Sequence, residues 1–151
     1  MSVCKFIASD MPLTAYEPSQ DYPFHVNIDE GTIDDGRADD NYFLLDFPDV
    51  DLYTNKEYGV SLEWKYTDGR AKQIIEYIKN ALLETDSVEF WLVWLMDYYE
   101  YEERPFIQRY EISIDELTED DIKEINSANI WNHPDPMYPN RPSFYCLKII
   151  R

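Results

Sequence analysis

Between Asp97 and Arg104 the sequence reads DYYEYEER, carboxylates alternating with phenols. Side chains along a strand point alternately to opposite faces, so Tyr98, Glu100 and Glu102 share one side and Asp97, Tyr99, Tyr101 and Glu103 the other. Two residues along a strand put Glu100 and Glu102 roughly 6.8 Å apart at Cα. That falls within the roughly 6.5–9.5 Å between the two carboxyl groups of inverting glycoside hydrolases. A general acid also needs a dry setting that raises its pKa, and a hairpin tip this rich in carboxylates stays wet. No catalytic residue is assigned here. Binding chemistry suits the stretch better, because a phenol flanked by carboxylates can hold a lysine or arginine by charge and by cation–π contact. The candidate partner-binding residues are Tyr98, Tyr99, Glu100, Tyr101, Glu102 and Glu103. Trp131 and Tyr138 join them from the proline-stiffened stretch that includes NHPDPMYPNRP. Aromatics flanking a hairpin also stabilise it by cross-strand pairing, which accounts for these tyrosines equally well.

The other polar motifs are less specific. DEGTIDDGRADDN, residues 29–41, clusters Asp34, Asp35, Asp39 and Asp40, but counting from Asp29 puts Gly31 and Ile33 at ligand positions of a calcium loop and no Glu at the twelfth. It reads as a polar loop, with no metal ligand assigned. KYTDGRAK is a basic island at the start of a helix, and it lacks the glycine spacing of a phosphate-binding loop. The two histidines, His25 and His133, belong to no nucleophile or zinc signature. Cys4 and Cys146 lie near opposite ends without CxxC spacing and read as free thiols of a reducing compartment. No cofactor is implied.

Several elements are legible around these motifs. VCKFIA (3–8), FHVNI (24–28) and YFLLDF (42–47) read as strands. YGVSLEWKY (58–66) alternates Val60, Leu62, Trp64 and Tyr66 against Ser61, Glu63 and Lys65. The spacing of Ala71, Ile74, Ile75, Ile78, Ala81 and Leu82 predicts one long helix over about 69–84, capped by Thr67 or Asp68. From Ser87 to Met96 both parities are apolar, the pattern of a strand covered on both faces. RPFIQRYEISI (104–114) alternates again, and the two strands in tandem predict a hairpin with its tip near YYEYEER. A short helix over about 119–126 begins at Thr118, with Asp121 closing a capping box and Leu117 stapled to Ile122. SFYCLKII is a last strand. The fold class is α+β, a mainly antiparallel sheet packed by one long and one short helix, with residues 1–151 as a single domain.

Charge sets the class of partner. The chain has 31 Asp and Glu against 13 Lys and Arg, for a net of −18, and each half contributes −9, so no acidic tail accounts for the total. A field of this sign repels nucleic-acid backbones and anionic membranes and speeds encounter with cationic partners. The longest apolar run, FWLVWLM, is far shorter than the roughly 20 residues of a spanning helix, and no signal peptide is visible. The expectation is a cytoplasmic, non-catalytic protein-binding module that engages a basic protein, such as an inhibitor or immunity-type neutraliser of a basic toxin. The alternative is an enzyme or ligand-binding domain with a carboxylate-lined or divalent-metal pocket between helix and sheet.

Overall fold

The computed structural model describes residues 3–16, 25–27, 32–34, 43–94, 106–128 and 143–151, with 25–27 and 32–34 by backbone alone. In chain order the elements are β1 (Val3–Ser9), β2 (His25–Asn27), β3 (Thr32–Asp34), β4 (Phe43–Asp46), a 3-10 turn (Pro48–Leu52), β5 (Tyr58–Glu63), α1 (Asp68–Ala81), β6 (Ser87–Trp94), β7 (Ile107–Ser113), α2 (Glu119–Asn126) and β8 (Phe144–Ile150). Six strands form one sheet in the order β4-β5-β1-β6-β8-β7, and β2 and β3 pair apart from it. The fold is α+β with a mixed sheet: β7 runs parallel to β8, and the other four pairings are antiparallel.

β6 is interior, as its two apolar parities require. Val88, Phe90 and Leu92 face a layer built from Ala71, Ile74, Ile75 and Ile78 of α1 and Ile122 and Ile125 of α2. Trp91 and Val93 face the other way, onto Phe6, Ala8, Val50, Tyr53, Phe144 and Cys146. The helices lie on the first face because each carries one apolar stripe. Thr67 Oγ1 accepts the Arg70 N–H at 3.1 Å and starts α1. The capping box of Thr118 and Asp121 starts α2, with the Thr118 N–H donating to Asp121 Oδ2 at 2.8 Å. Leu117 and Ile122 are buried in the same cluster.

Three expectations change. First, β6 and β7 run antiparallel but are not a hairpin, because β8 lies between them. Burial explains the choice: β8 is buried along most of its length, whereas Arg109, Tyr110 and Glu111 at the centre of β7 are exposed. The strand apolar on both faces takes the interior position and the half-polar strand takes the edge. Second, α1 ends at Ala81 rather than near residue 84. The N–H groups of Leu83 and Glu84 donate to the carbonyls of Asn80 and Ala81, a tightening into three-residue turns that leaves Leu83 77% exposed. Third, Thr32–Asp34, within the stretch read as a polar loop, pairs antiparallel with β2 as β3. Cys4 and Cys146 are free and are separated by β6, with Cys4 opposite Val93 and Cys146 opposite Trp91.

The second face is closed by a segment with no periodicity. The 3-10 turn folds back over β5, bringing Val50 against Gly59, where an added Cβ would come within 2.9 Å of Val50 Cβ. Glycine is needed there for close approach. With Val50 come Phe47 and Tyr53, whose rings lie 4.8 and 5.4 Å from that of Phe6, and Phe6 stacks on Trp91 at 5.7 Å with 7° between planes. The helix face is aliphatic at its centre, and this face is aromatic.

Candidate functional site

Tyr98, Tyr99, Glu100, Tyr101, Glu102, Glu103, Trp131 and Tyr138 all lie outside the described residues, as do Asp35, Asp39, Asp40 and His133. Polar chemistry within the described residues gathers at two other places, one on each side of the sheet.

On the helix side the site is built around Tyr66. Three residues past β5, its hydroxyl lies 2.8 Å from Asp68 Oδ1 and 3.1 Å from the Glu119 carbonyl, bridging the N-terminal ends of α1 and α2. The Tyr66 phenol is pushed up to about 12, first by partial burial, then by its bond to Asp68 and by the charges of Asp68, Asp120 and Glu119. Trp64 meets it edge-on at 5.6 Å. Lys123 Nζ lies 5.8 Å from its ring centroid. An aromatic ring ringed by carboxylates thus holds an ammonium group, the combination expected of the DYYEYEER stretch but placed at the helix N-termini. Negative residues are favoured there because helix dipoles present their positive ends. The Tyr66 periodicity was legible in YGVSLEWKY; its neighbours from α2 were not, because they come from residues more than fifty positions away.

The basic island reads differently in three dimensions. Arg70 is buried, and its Nη1 donates to the Lys65 carbonyl at 2.7 Å. Its guanidinium fastens the approach to α1.

On the aromatic face, Glu89 is a carboxylate only 8% exposed. Its Oε1 accepts from Thr54 Oγ1 at 2.5 Å and from Trp91 Nε1 at 3.1 Å. The Cys146 thiol also hydrogen-bonds to Glu89, and burial first, then the Glu89 charge, raises its pKa far above the ordinary thiol range; Arg109 opposes this only partly. A thiol so strongly protonated supplies no thiolate nucleophile. Cys4 is raised to about 11, chiefly by burial. Glu89 therefore ties the segment after the 3-10 turn to the sheet, its Oε1 taking two protein donors. Charge at this position was visible in SVEFWLVW as the single acid in an apolar strand, and that interruption is the signal that could have singled it out.

A cleft of about 320 Å³ lies between the Pro12–Tyr16 segment and α1, and the described residues that line it, Leu13, Ala15, Tyr77 and Ala81 among them, include no carboxylate. Tyr77 closes its side by donating to the Thr14 carbonyl at 2.6 Å. Among the described residues no three His, Cys, Asp or Glu side chains are grouped to hold a metal ion, and no helix is long and apolar enough to cross a membrane. Comparison with protein-family models, with curated proteins and with solved structures returns no match.

Proposed function

We propose that the chain is a non-catalytic binding module that takes a basic protein partner, in the manner of an inhibitor or immunity-type neutraliser of a cationic toxin. The observation that carries this reading is the net charge of −18, shared evenly between the two halves of the chain. Exposed carboxylates follow that distribution through the fold, among them Asp46 on β4, Glu63 on β5, Glu76 on α1, Glu111 on β7 and Glu124 on α2. Tyr66 supports it, because a ring flanked by Asp68, Glu119 and Asp120 already accommodates the ammonium of Lys123. The same contact suits lysines of a partner. Tyr98, Tyr99, Glu100, Tyr101, Glu102, Glu103, Trp131 and Tyr138 carry the same chemistry in sequence and form the proposed contact set. The alternative enzyme reading draws less support from the described residues: those lining the cleft beside α1 include no carboxylate, and burial raises the pKa of both thiols. Free cysteines suit a reducing compartment, and the cytoplasm is the proposed location.

The test is kinetic. Affinity capture from the native cell at low salt, with elution at high salt, is expected to yield a protein of high pI. Its association rate, measured by stopped flow, should fall by roughly 10- to 1000-fold as ionic strength rises from low to physiological. An association rate flat across that range would overturn the electrostatic reading.

A further inference from the structure

The two edges of the sheet are finished differently. β4 is closed by Tyr16, whose N–H donates to the Leu44 carbonyl and whose carbonyl accepts the Leu44 N–H, both at 2.9 Å. β7 is open. Phe144 N–H donates to the Phe106 carbonyl and Ile114 N–H to the Ile150 carbonyl, so even-numbered residues aim their backbone groups at β8. In a parallel ladder the alternate residues then aim outward. Those are Ile107, Arg109, Glu111 and Ser113. The Ser113 carbonyl is taken by the N–H groups of Glu116 and Leu117. The outward N–H and C=O groups of Arg109 and Glu111 have no backbone partner among the described residues. Arg109, Tyr110 and Glu111 are all exposed, and Tyr110 is 50% exposed on the face that carries Ile112 into the helix-side core.

We propose that β7 pairs with β7 of a second copy of this chain, antiparallel about a two-fold axis at Tyr110, joining the two sheets into one. The choice of occupant comes from charge. Outward-facing residues pair with one another across an antiparallel dyad, so the register is limited to a few steps of two residues. A dyad at Arg109 sets Arg109 against itself, and a dyad at Glu111 sets Glu111 against itself. Like charges directly opposite destabilise a ladder. The dyad at Tyr110 instead places Arg109 opposite Glu111 of the second copy and Glu111 opposite Arg109 of the second copy. It also sets the two Tyr110 rings side by side on the other face, in a closely spaced pair. This strand is self-complementary only in that register. Two copies at −18 each repel at long range, so the pairing needs screening; the Debye length is about 8 Å at physiological ionic strength, shorter than the span between most of the charges. Self-association therefore strengthens from low to physiological salt, opposite in sign to capture of a basic partner. The two readings thus fail separately.

Analytical ultracentrifugation of the full chain tests the pairing, at up to about 100 μM, where a micromolar Kd populates dimer. A concentration-dependent monomer–dimer equilibrium is expected at physiological salt. Glu111→Arg and Arg109→Glu should each weaken it at least about tenfold by placing like charges across both pairs, and the double exchange R109E/E111R should recover it. Circular dichroism melts confirm that each variant is folded. Tyr110→Cys supplies an independent readout: mild oxidation should give a dimer whose disulfide maps to residue 110 in both chains, since closely spaced antiparallel pairs suit that bond. A chain that stays monomeric throughout overturns self-pairing and leaves the edge to a strand of another protein. A dimer indifferent to both single reversals, or one whose oxidised bond maps elsewhere, overturns it as well.

Discussion

The two faces of β6 are covered by different means. On one, α1 and α2 lay aliphatic stripes over Val88, Phe90 and Leu92. On the other, a 3-10 turn of five residues and its flanks deliver Phe47, Val50 and Tyr53 against Phe6 and Trp91, and Glu89 is buried among them. A helix brings an apolar residue back to one side every three or four positions, so its cover is continuous, and its polar fastenings, Tyr66 and Arg70, sit at the helix starts. A short turn offers few apolar side chains and several unpaired backbone groups. It is held by aromatic area per residue and by hydrogen bonds to side chains, here Thr54 to Glu89. Among the described residues, each side of the sheet buries one charged side chain, Arg70 on α1 and Glu89 under the segment after the 3-10 turn, and each is held by hydrogen bonds to nearby protein groups.

The largest test of that contrast is truncation on each face. Phe90→Ala and Trp91→Ala each remove a side chain with no exposed surface, and each should cost about 3–5 kcal/mol in urea unfolding. Equal losses would show that the helix-free face carries as much of the stability as the helical one. A Trp91 loss below about 1 kcal/mol would mean that the aromatic face collapses into the gap. Next, Glu89→Ala takes the acceptor from the Thr54 hydroxyl and Trp91 Nε1 donors inside the protein and should cost about 2–3 kcal/mol. If a carboxylate there were dispensable, Glu89→Leu would be neutral. Gly59→Ala drives a Cβ against Val50 and the Phe47 carbonyl, and the expected loss is about 1–3 kcal/mol, with the 3-10 turn the first segment to lose amide-exchange protection. The smallest change is Thr118→Ala on the helix face. Removing that cap should cost about 1 kcal/mol, leaving the aromatic face untouched by near-UV circular dichroism.

Alkaline pH separates the faces in another way. Tyr53, on the aromatic face, is pushed from 10.0 up to about 12 by burial first and by the charges of Cys4 and Asp49, and Tyr66, on the helix side, rises to about 12 as well. Folded protein then binds more protons than unfolded protein between about pH 10 and 12. Stability from these phenols is complete below about pH 10 and declines as pH rises towards 12. Urea midpoints measured over that range should fall, and Tyr53→Phe should make the fall shallower. An unchanged slope in Tyr53→Phe would remove the aromatic face from the effect.

Much of the helix face was legible in sequence, because its information is periodic and local. Val60 and Leu62, the stripe of α1, the capping box at Thr118 and the doubly apolar β6 each announce themselves within a window of a few residues. Less of the aromatic face was legible. PDVDL has no period, and Gly59 becomes meaningful only once Val50 is seen against it. The surface around Tyr66 was half visible: the tyrosine fell on a predicted face, while Asp120 and Lys123 reached it from a second helix whose place depended on the packing of both.

Sequence alone determined the sign and spread of the charge, the alternation that makes β5 and β6 strands, the helix starts, and the α+β class, all properties of composition or of neighbours within a turn or two. Tertiary structure decided which strands are adjacent. β8 entered between β6 and β7 because it is more apolar than β7 and a chain buries its more apolar strands in the sheet's interior, a competition among segments far apart that no local pattern records. The same competition left β7, with the backbone groups of Arg109 and Glu111 aimed away from β8, at the edge of the sheet formed by the described residues.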